Sequence, residues 1–310
     1  MGVGADAPGP GGAVSASVAE PTPPVAFWRD LVSLTKPRII SLLLVTTAAP
    51  MYVAGSPSWG LVLIVMLGGY LMAGGANAVN MYLDRDIDDH MARTRLRPIP
   101  SGRMTATAVL AFGVACATAA TWLLAAFVNV LTAALALGGF YCYVFVYTRW
   151  LKRASPQNIV IGGAAGAFPP LVGWAAVTGE LNLLGVLLFL IVFYWTPPHF
   201  WALALLKQRD YHKAGVPMAP LVWGERETMA QMRWYTIILL ALTLLPVATG
   251  ALGVIYGASA LGLGGLLLWG VWRLTPDGEW TAPAWWVYKY SLLYLALLFI
   301  AMAIDVRWRF

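Results

Sequence analysis

Charge is scarce in this chain. Asp, Glu, Lys and Arg together supply 11% of its 310 residues, against about 25% in an ordinary soluble domain. That supply cannot wet the surface of a soluble fold. Hydrophobic residues make up 60% of the sequence, and mean hydropathy is +0.71. Cysteine is rarer still: Cys116 and Cys142 fall inside apolar runs at no metal-ligand spacing and read as small helix residues. No G-x-x-x-x-G-K loop occurs, which rules out a pump driven by its own ATP site. The first 24 residues lack the basic start and apolar centre of a signal peptide. Residues 1–26 therefore read as a disordered cytoplasmic tail, and residues 27–310 as the membrane domain.

What the chain has is apolar runs. Nine stretches, 39–56, 59–79, 105–127, 129–148, 158–178, 182–206, 230–252, 255–273 and 285–304, are long enough to cross a ~30 Å hydrocarbon core. The expected fold is all-α, a polytopic bundle of about nine transmembrane helices. Lys and Arg crowd alternate loops, from Lys36 and Arg38 through Arg85–Arg103, Arg149–Arg153 and Lys207–Arg233. The turns near Gly55, Val128, Gly179 and Gly253 carry none. The positive-inside rule then puts the N-terminus in the cytoplasm and the C-terminus outside. The net charge of +6 follows from this topology and implies no nucleic-acid partner. No Arg-rich amphipathic presequence precedes the first span, which favours a bacterial inner membrane over a mitochondrial one.

The chain also repeats itself. Pro37 and Pro50 open and nearly close the first span; Pro156 and Pro169 stand 119 residues later, opening and breaking the fifth. Asn77 and Asp88 on the second span match His199 and Asp210 on the sixth at an offset of 122. Both halves run in the same sense, so a parallel duplication of a four-helix unit is expected, with a site at the interface.

The stretch "NAVNMYLDRDIDDHMARTRLRPIPSGR", residues 77–103, is where charge concentrates. At about 100° per residue, Asn80, Asp84 and Asp88 fall at roughly −60°, −20° and +20° from Asn77. One narrow arc thus carries two amides and two carboxylates from bilayer depth to the cytoplasmic edge. Asp86, Asp89 and His90 lie off it and read as a solvated helix end. Polar groups at membrane depth are costly and normally face an interior site. Carboxylates at i and i+4 suit Mg²⁺, which takes hard oxygen ligands and keeps waters and substrate phosphates in its shell. Arg93 and Arg97 follow in the loop and can clamp phosphate oxygens. Lys152 and Arg153 either join that anion site or serve as positive-inside anchors.

"NMYLDRDID" resembles the aspartate-rich motif of the intramembrane prenyltransferase superfamily that includes 4-hydroxybenzoate polyprenyltransferase. The resemblance implies Mg²⁺-dependent binding of a prenyl diphosphate, with Asp84 and Asp88 as metal ligands. A second stretch, "YWTPPHFWALALLKQRDYHKAGVPMAPLVWG" over residues 194–224, has one aspartate where quinone-making members carry a cluster. It is similar to the protohaem IX farnesyltransferase (haem O synthase) branch, a likeness extending over roughly residues 27–300. What this implies is transfer of the farnesyl group of farnesyl diphosphate to a vinyl group of haem B, with water added. Asn77, Asn80, Asp84, Asp88 and His199 would be catalytic, with Arg93, Arg97, Lys152, Arg153, Lys207 and Asp210 holding diphosphate. Implied partners are farnesyl diphosphate, haem B, membrane lipid, and haem A synthase or terminal-oxidase assembly.

On a continuous helix, His199 and Asp210 would share a face about 16 Å apart. His199 can ligate haem iron or act as a base; equally, it can be a hydrogen-bonded histidine of the bundle. His90 and His212 sit in charged loops and read as solvated. Two rivals remain: prenyl transfer to another aromatic acceptor, such as a quinone precursor or a chlorophyllide, and a transporter that uses the repeat for alternating access.

Overall fold

A computed structural model describes residues 24–91 and 94–308, with side chains from residue 27 onward. The tail expected over 1–26 lies outside them, apart from the helical backbone of 24–26. Among the described residues, nine helices are long and apolar enough to span a membrane, and every secondary-structure element is helical. An amphipathic helix α1 (Pro24–Thr35) leads into the first span, α2 (Pro37–Ala54). The second span is α3 (Trp59–Leu83), followed by the short α4 (Arg85–Asp88). The third is α5 (Ala106–Phe127). The fourth joins α6 (Val130–Tyr141), a π-helical segment (Cys142–Leu151) and α7 (Lys152–Ala154). The fifth is α8 (Asn158–Gly162) with α9 (Ala164–Thr178), and the sixth is α10 (Leu183–Leu206). Short helices α11 (Gln208–Lys213) and α12 (Ala219–Val222) precede the last three spans. These are α13 (Gly224–Ala248), α14 (Val254–Trp272) and α15 (Thr281–Arg307).

Three turns without Lys or Arg start their helices with a side-chain cap. Ser58 Oγ accepts the Leu61 N–H, Asn129 Oδ1 the Thr132 N–H and Asn182 Oδ1 the Gly185 N–H. Each cap supplies a partner that water would otherwise have to provide. Successive spans pack side by side, and the ninth closes on the first, α15 against α2. Lipid gives helices little hydrophobic reason to associate, so close packing through small residues does the work. At Gly75 an added Cβ would lie 2.6 Å from the Gly113 carbonyl of α5, and at Gly173 it would collide with the Thr47 carbonyl of α2. Alanine at either position would push two spans apart. A large buried cluster, with Trp201, Tyr256, Tyr294 and Phe299 among it, ties α10 to α13, α14 and α15.

The duplication is visible at the ends of the second helix of each half. Span two stops at Asp84 and restarts as α4; span six stops at Lys207 and restarts as α11. Each short helix carries the matched acid, Asp88 or Asp210. Two sequence expectations change here. The fifth span does not break at Pro169, because α9 runs through Pro169 and Pro170 and the interruption lies at Gly163. His199 and Asp210 do not share one continuous helix, since Lys207 (φ −119°, ψ 21°) ends α10 between them. The ~16 Å helical spacing therefore does not apply.

Candidate active site

Asp84 stands at the α3–α4 junction, yet the i to i−4 register passes through it. Its N–H bonds the Asn80 carbonyl at 2.9 Å, and the Asp88 N–H bonds the Asp84 carbonyl at 2.9 Å. The arc read from helical periodicity thus survives the break. Asp84 and Asp88 are 1% and 2% exposed. Asn80 Nδ2 donates to Asp84 Oδ2 at 2.8 Å and to Thr148 Oγ1 at 3.1 Å. Lys152 Nζ donates to the same carboxylate oxygen at 2.5 Å, and Arg97 donates to Asp88 Oδ2 at 2.6 Å.

A cation that sequence reasoning assigned only to topology completes the cluster. Lys36 donates to Asn77 Oδ1 at 3.1 Å and to Asn80 Oδ1 at 3.3 Å. Its backbone lies in the left-handed region, φ 55° and ψ 61°. Asn77 Nδ2 pins that junction by donating to the Thr35 carbonyl at 2.9 Å. Thr148 was also missed. It sits in the π-helical segment, where Thr148 Oγ1 donates to the Tyr143 carbonyl five residues back at 2.8 Å. The π-helical segment runs for ten residues and ends immediately before Lys152; π-helical geometry recurs at functional sites.

Arg153 turns partly away. Its fork meets Asp86 at 2.6 and 2.7 Å and the Leu83 carbonyl at 2.9 Å, while Asp84 Oδ1 lies 3.9 Å from Nη2. Asp86 is outside the arc, and the Arg153 hydrogen bonds hold it down at about 2. Lys207 is placed elsewhere, with its Nζ 6.0 Å from the Trp285 ring centre. Asp210 is half-buried and makes no ion pair among the described residues. Arg93 lies outside the described residues.

Cations outnumber buried carboxylates in this cluster, and the electrostatics show it. Desolvation, with the nearby charges of Arg97 and Lys152, brings Lys36 down to about 7. Burial raises Asp88, and Asp84 adds to the rise, against the opposing pull of Arg97. A bound polyanion would relieve Lys36, whereas Asp88 calls for a further cation beside it. Asp84 Oδ1 is buried without a hydrogen-bond partner among the described residues, and only the Arg153 guanidinium, 3.9 Å away, offsets its desolvation. No group of three or more His, Cys, Asp or Glu forms a closed metal cage among the described residues. Two buried carboxylates, one with an orphaned oxygen, suit a hard cation that completes its shell with water and phosphate.

His199 occupies a second buried place. Its ring is stacked between Trp195 (centroids 4.6 Å apart, 15°) and Tyr288 (4.9 Å, 21°). Nδ1 lies 2.8 Å from Ser291 Oγ, and Ser291 Oγ lies 3.0 Å from the Tyr288 carbonyl. A hydroxyl has one proton. Both contacts are satisfied together only if that proton goes to Tyr288 and Nδ1–H donates to Ser291. Satisfying both favours the Nδ1–H tautomer by about one hydrogen bond, on the order of 1 kcal/mol. Nε2 then keeps its lone pair. Ser291, a single serine inside the last span, gave no pattern to read.

The comparisons fit this architecture. The UbiA prenyltransferase family model matches residues 42–293. Protoheme IX farnesyltransferase of Roseiflexus castenholzii is 58% identical over 282 residues, 90% of this chain and 52% of its own length. The protein of that name from Symbiobacterium thermophilum is 51% identical, over 90% of this chain and 94% of its own. The chain thus spans about half the length of the Roseiflexus relative. Among solved structures, a UbiA homologue from Archaeoglobus fulgidus bound to DMAPP and Mg²⁺ superposes with TM-score 0.71 at 14% identity, covering 90% of this chain and all of that one. Digeranylgeranylglyceryl phosphate synthase gives 0.74 at 17%, over 90% and 98%. With that family match over residues 42–293 and nine spans among its described residues, the chain belongs to the UbiA prenyltransferase family.

Proposed function

We propose that this protein transfers the farnesyl group of farnesyl diphosphate to a vinyl group of haem B, with addition of water, to give haem O and diphosphate. The observation that carries the reading is the buried Asp84–Asn80–Lys152 and Asp88–Arg97 cluster in a chain that also buries an oriented histidine at membrane depth. The names of the relatives point the same way.

Asp84 and Asp88 would hold Mg²⁺, which when bound neutralises diphosphate oxygens and makes diphosphate a better leaving group. Lys36, Arg97 and Lys152 bind the diphosphate, their surplus charge matching a polyanion. Arg153 and Arg93 complete the diphosphate set read from the sequence, and Asp210 is its acid from the second half. Asn77 and Asn80 orient Lys36 and Asp84. In the reaction, the C1–O bond of farnesyl diphosphate breaks and its electron pair leaves with diphosphate. A carbon–carbon bond forms to the terminal vinyl carbon; water adds its oxygen to the inner vinyl carbon and releases one proton. The aromatic, water-poor interior protects the allylic cation from premature capture. His199, with Nε2 unprotonated, faces the acceptor as an iron ligand. The cluster lies on the cytoplasmic side of a bacterial inner membrane, with the N-terminus inside.

Pigment extraction from membranes expressing the chain tests this. Haem O should appear with the wild type and vanish with Asp84→Ala. A prenylated ring of another kind would move the reading to a different acceptor, and no prenylated product would end it.

A further inference from the structure

Two lysines outside the diphosphate cluster converge on one indole. Lys207 Nζ lies 6.0 Å from the Trp285 ring centre and Lys289 Nζ lies 5.8 Å from it. Neither makes an ion pair among the described residues. Lys289 is eight residues into α15, roughly 12 Å along that helix. Lys289 and Trp285 are exposed there, so the paired ammonium groups are open to a ligand from outside the bundle. Bringing a second ammonium to the same ring adds repulsion, which an anion would reverse.

Their position relative to His199 says which anion. Lys207 follows α10 eight residues after His199, again about 12 Å along the helix. Lys289 neighbours Tyr288, whose ring lies flat on His199, and Trp285 meets Tyr288 edge-on at 5.9 Å. His199, Tyr288 and Trp285 thus form a continuous aromatic ledge. A nitrogen lone pair stands at one end and two ammonium groups at the other. An amphipathic planar tetrapyrrole has the matching plan: a metal at its centre, apolar flanks and two carboxylates on one edge.

We infer that Lys207 and Lys289 form the clamp for the two propionates of the tetrapyrrole acceptor. This rests on the reading of haem B as acceptor, and it removes Lys207 from the diphosphate set. The clamp fixes which edge of the macrocycle faces the charged loops, and so which vinyl groups stand free for reaction. Charge-assisted hydrogen bonds are shorter and stronger than neutral ones, and one carboxylate at each ammonium would remove the repulsion between them.

The test uses the whole chain in lipid nanodiscs, titrated with haem B and with its dimethyl ester, and read by absorbance. Lys207→Met together with Lys289→Met should weaken haem B binding about tenfold or more. The ester, which has no carboxylates, should bind both proteins alike, and Arg at both positions should restore the acid's affinity. If the double variant binds haem B as the wild type does, or loses acid and ester equally, the clamp is refuted. Lipid phosphate is the rival anion. If the variant's only defect is lost enrichment of anionic over zwitterionic lipid in the nanodisc, the lysines serve headgroups and the inference falls. Failure of the wild type to bind haem B at all would sink the acceptor reading instead, which a functioning wild type with an indifferent double variant would not.

Discussion

Replacing Ser291 with alanine should change which nitrogen of His199 carries its proton. Ser291 is wholly buried and His199 is 5% exposed, so water cannot readily replace the lost hydroxyl. Nδ1–H would then lose its 2.8 Å acceptor and keep only the Tyr288 carbonyl nearby, a penalty of about 1–3 kcal/mol at most. Moving the proton to Nε2 avoids that penalty. Since about 1.4 kcal/mol is a factor of ten, the tautomer ratio should fall by roughly ten- to a hundredfold. Nitrogen NMR of histidine-labelled protein reads this directly, with His199→Gln identifying the signal among three histidines. The wild type should show a protonated-type shift at Nδ1 and an unprotonated one at Nε2. Ser291→Ala should lose that asymmetry or reverse it, and Ser291→Thr, which keeps a hydroxyl, should not. In a haem titration Ser291→Ala should weaken binding by a similar factor. A wild type protonated at Nε2 would refute the hydrogen-bond argument outright.

Three further outcomes follow from the geometry. Asp84→Ala and Asp88→Ala should each lower turnover more than about a hundredfold, while Asp86→Ala should stay within a few fold, because an exposed ion pair contributes at most about 1 kcal/mol; comparable loss in all three would dissolve the distinction between arc and flank. Lys36, at about 7 in the free protein, is mostly neutral at pH 8. A bound diphosphate raises it, so binding an unreactive farnesyl diphosphate analogue should take up close to one proton at pH 8, little at pH 6, and none at either pH in Lys36→Met. Calorimetry in buffers of different ionisation enthalpy measures this, and proton release at pH 8 would contradict the sign. Reporter fusions after Arg97 and after Gly179 should report cytoplasm and exterior respectively, and the opposite pattern would invert the proposed orientation.

The spans were legible because lipid imposes one strong requirement, apolar length, and the sequence meets it nine times. The arc of Asn77, Asn80, Asp84 and Asp88 was legible because helical periodicity needs no tertiary knowledge. At Asp84 and Lys207 the end of the apolar run was legible, but the restart of a separate short helix was not, since neither Gly nor Pro marks the turn. Lys36 was hidden by its own category. A lysine beside Pro37 at the mouth of a span satisfies the positive-inside pattern, and only the folded chain shows its ammonium turned toward Asn77 and Asn80. Thr148 and Ser291 were concealed differently, as single hydroxyls in apolar runs that matter through partners 68 and 92 residues away.

The left-handed backbone of Lys36 bears on how this protein can be improved. It is the only non-glycine residue with positive φ among the described residues, and holding a side-chain-bearing residue there costs on the order of 1–3 kcal/mol. Glycine would adopt the same turn without strain. An engineer who ranked substitutions by backbone strain alone would therefore be drawn to Lys36→Gly, and would remove the ammonium that Asn77 and Asn80 hold and that is proposed to bind diphosphate. Robustness and turnover conflict at this residue. A stabilisation campaign should hold it fixed and seek its gains at the exposed turns on the opposite face of the bundle.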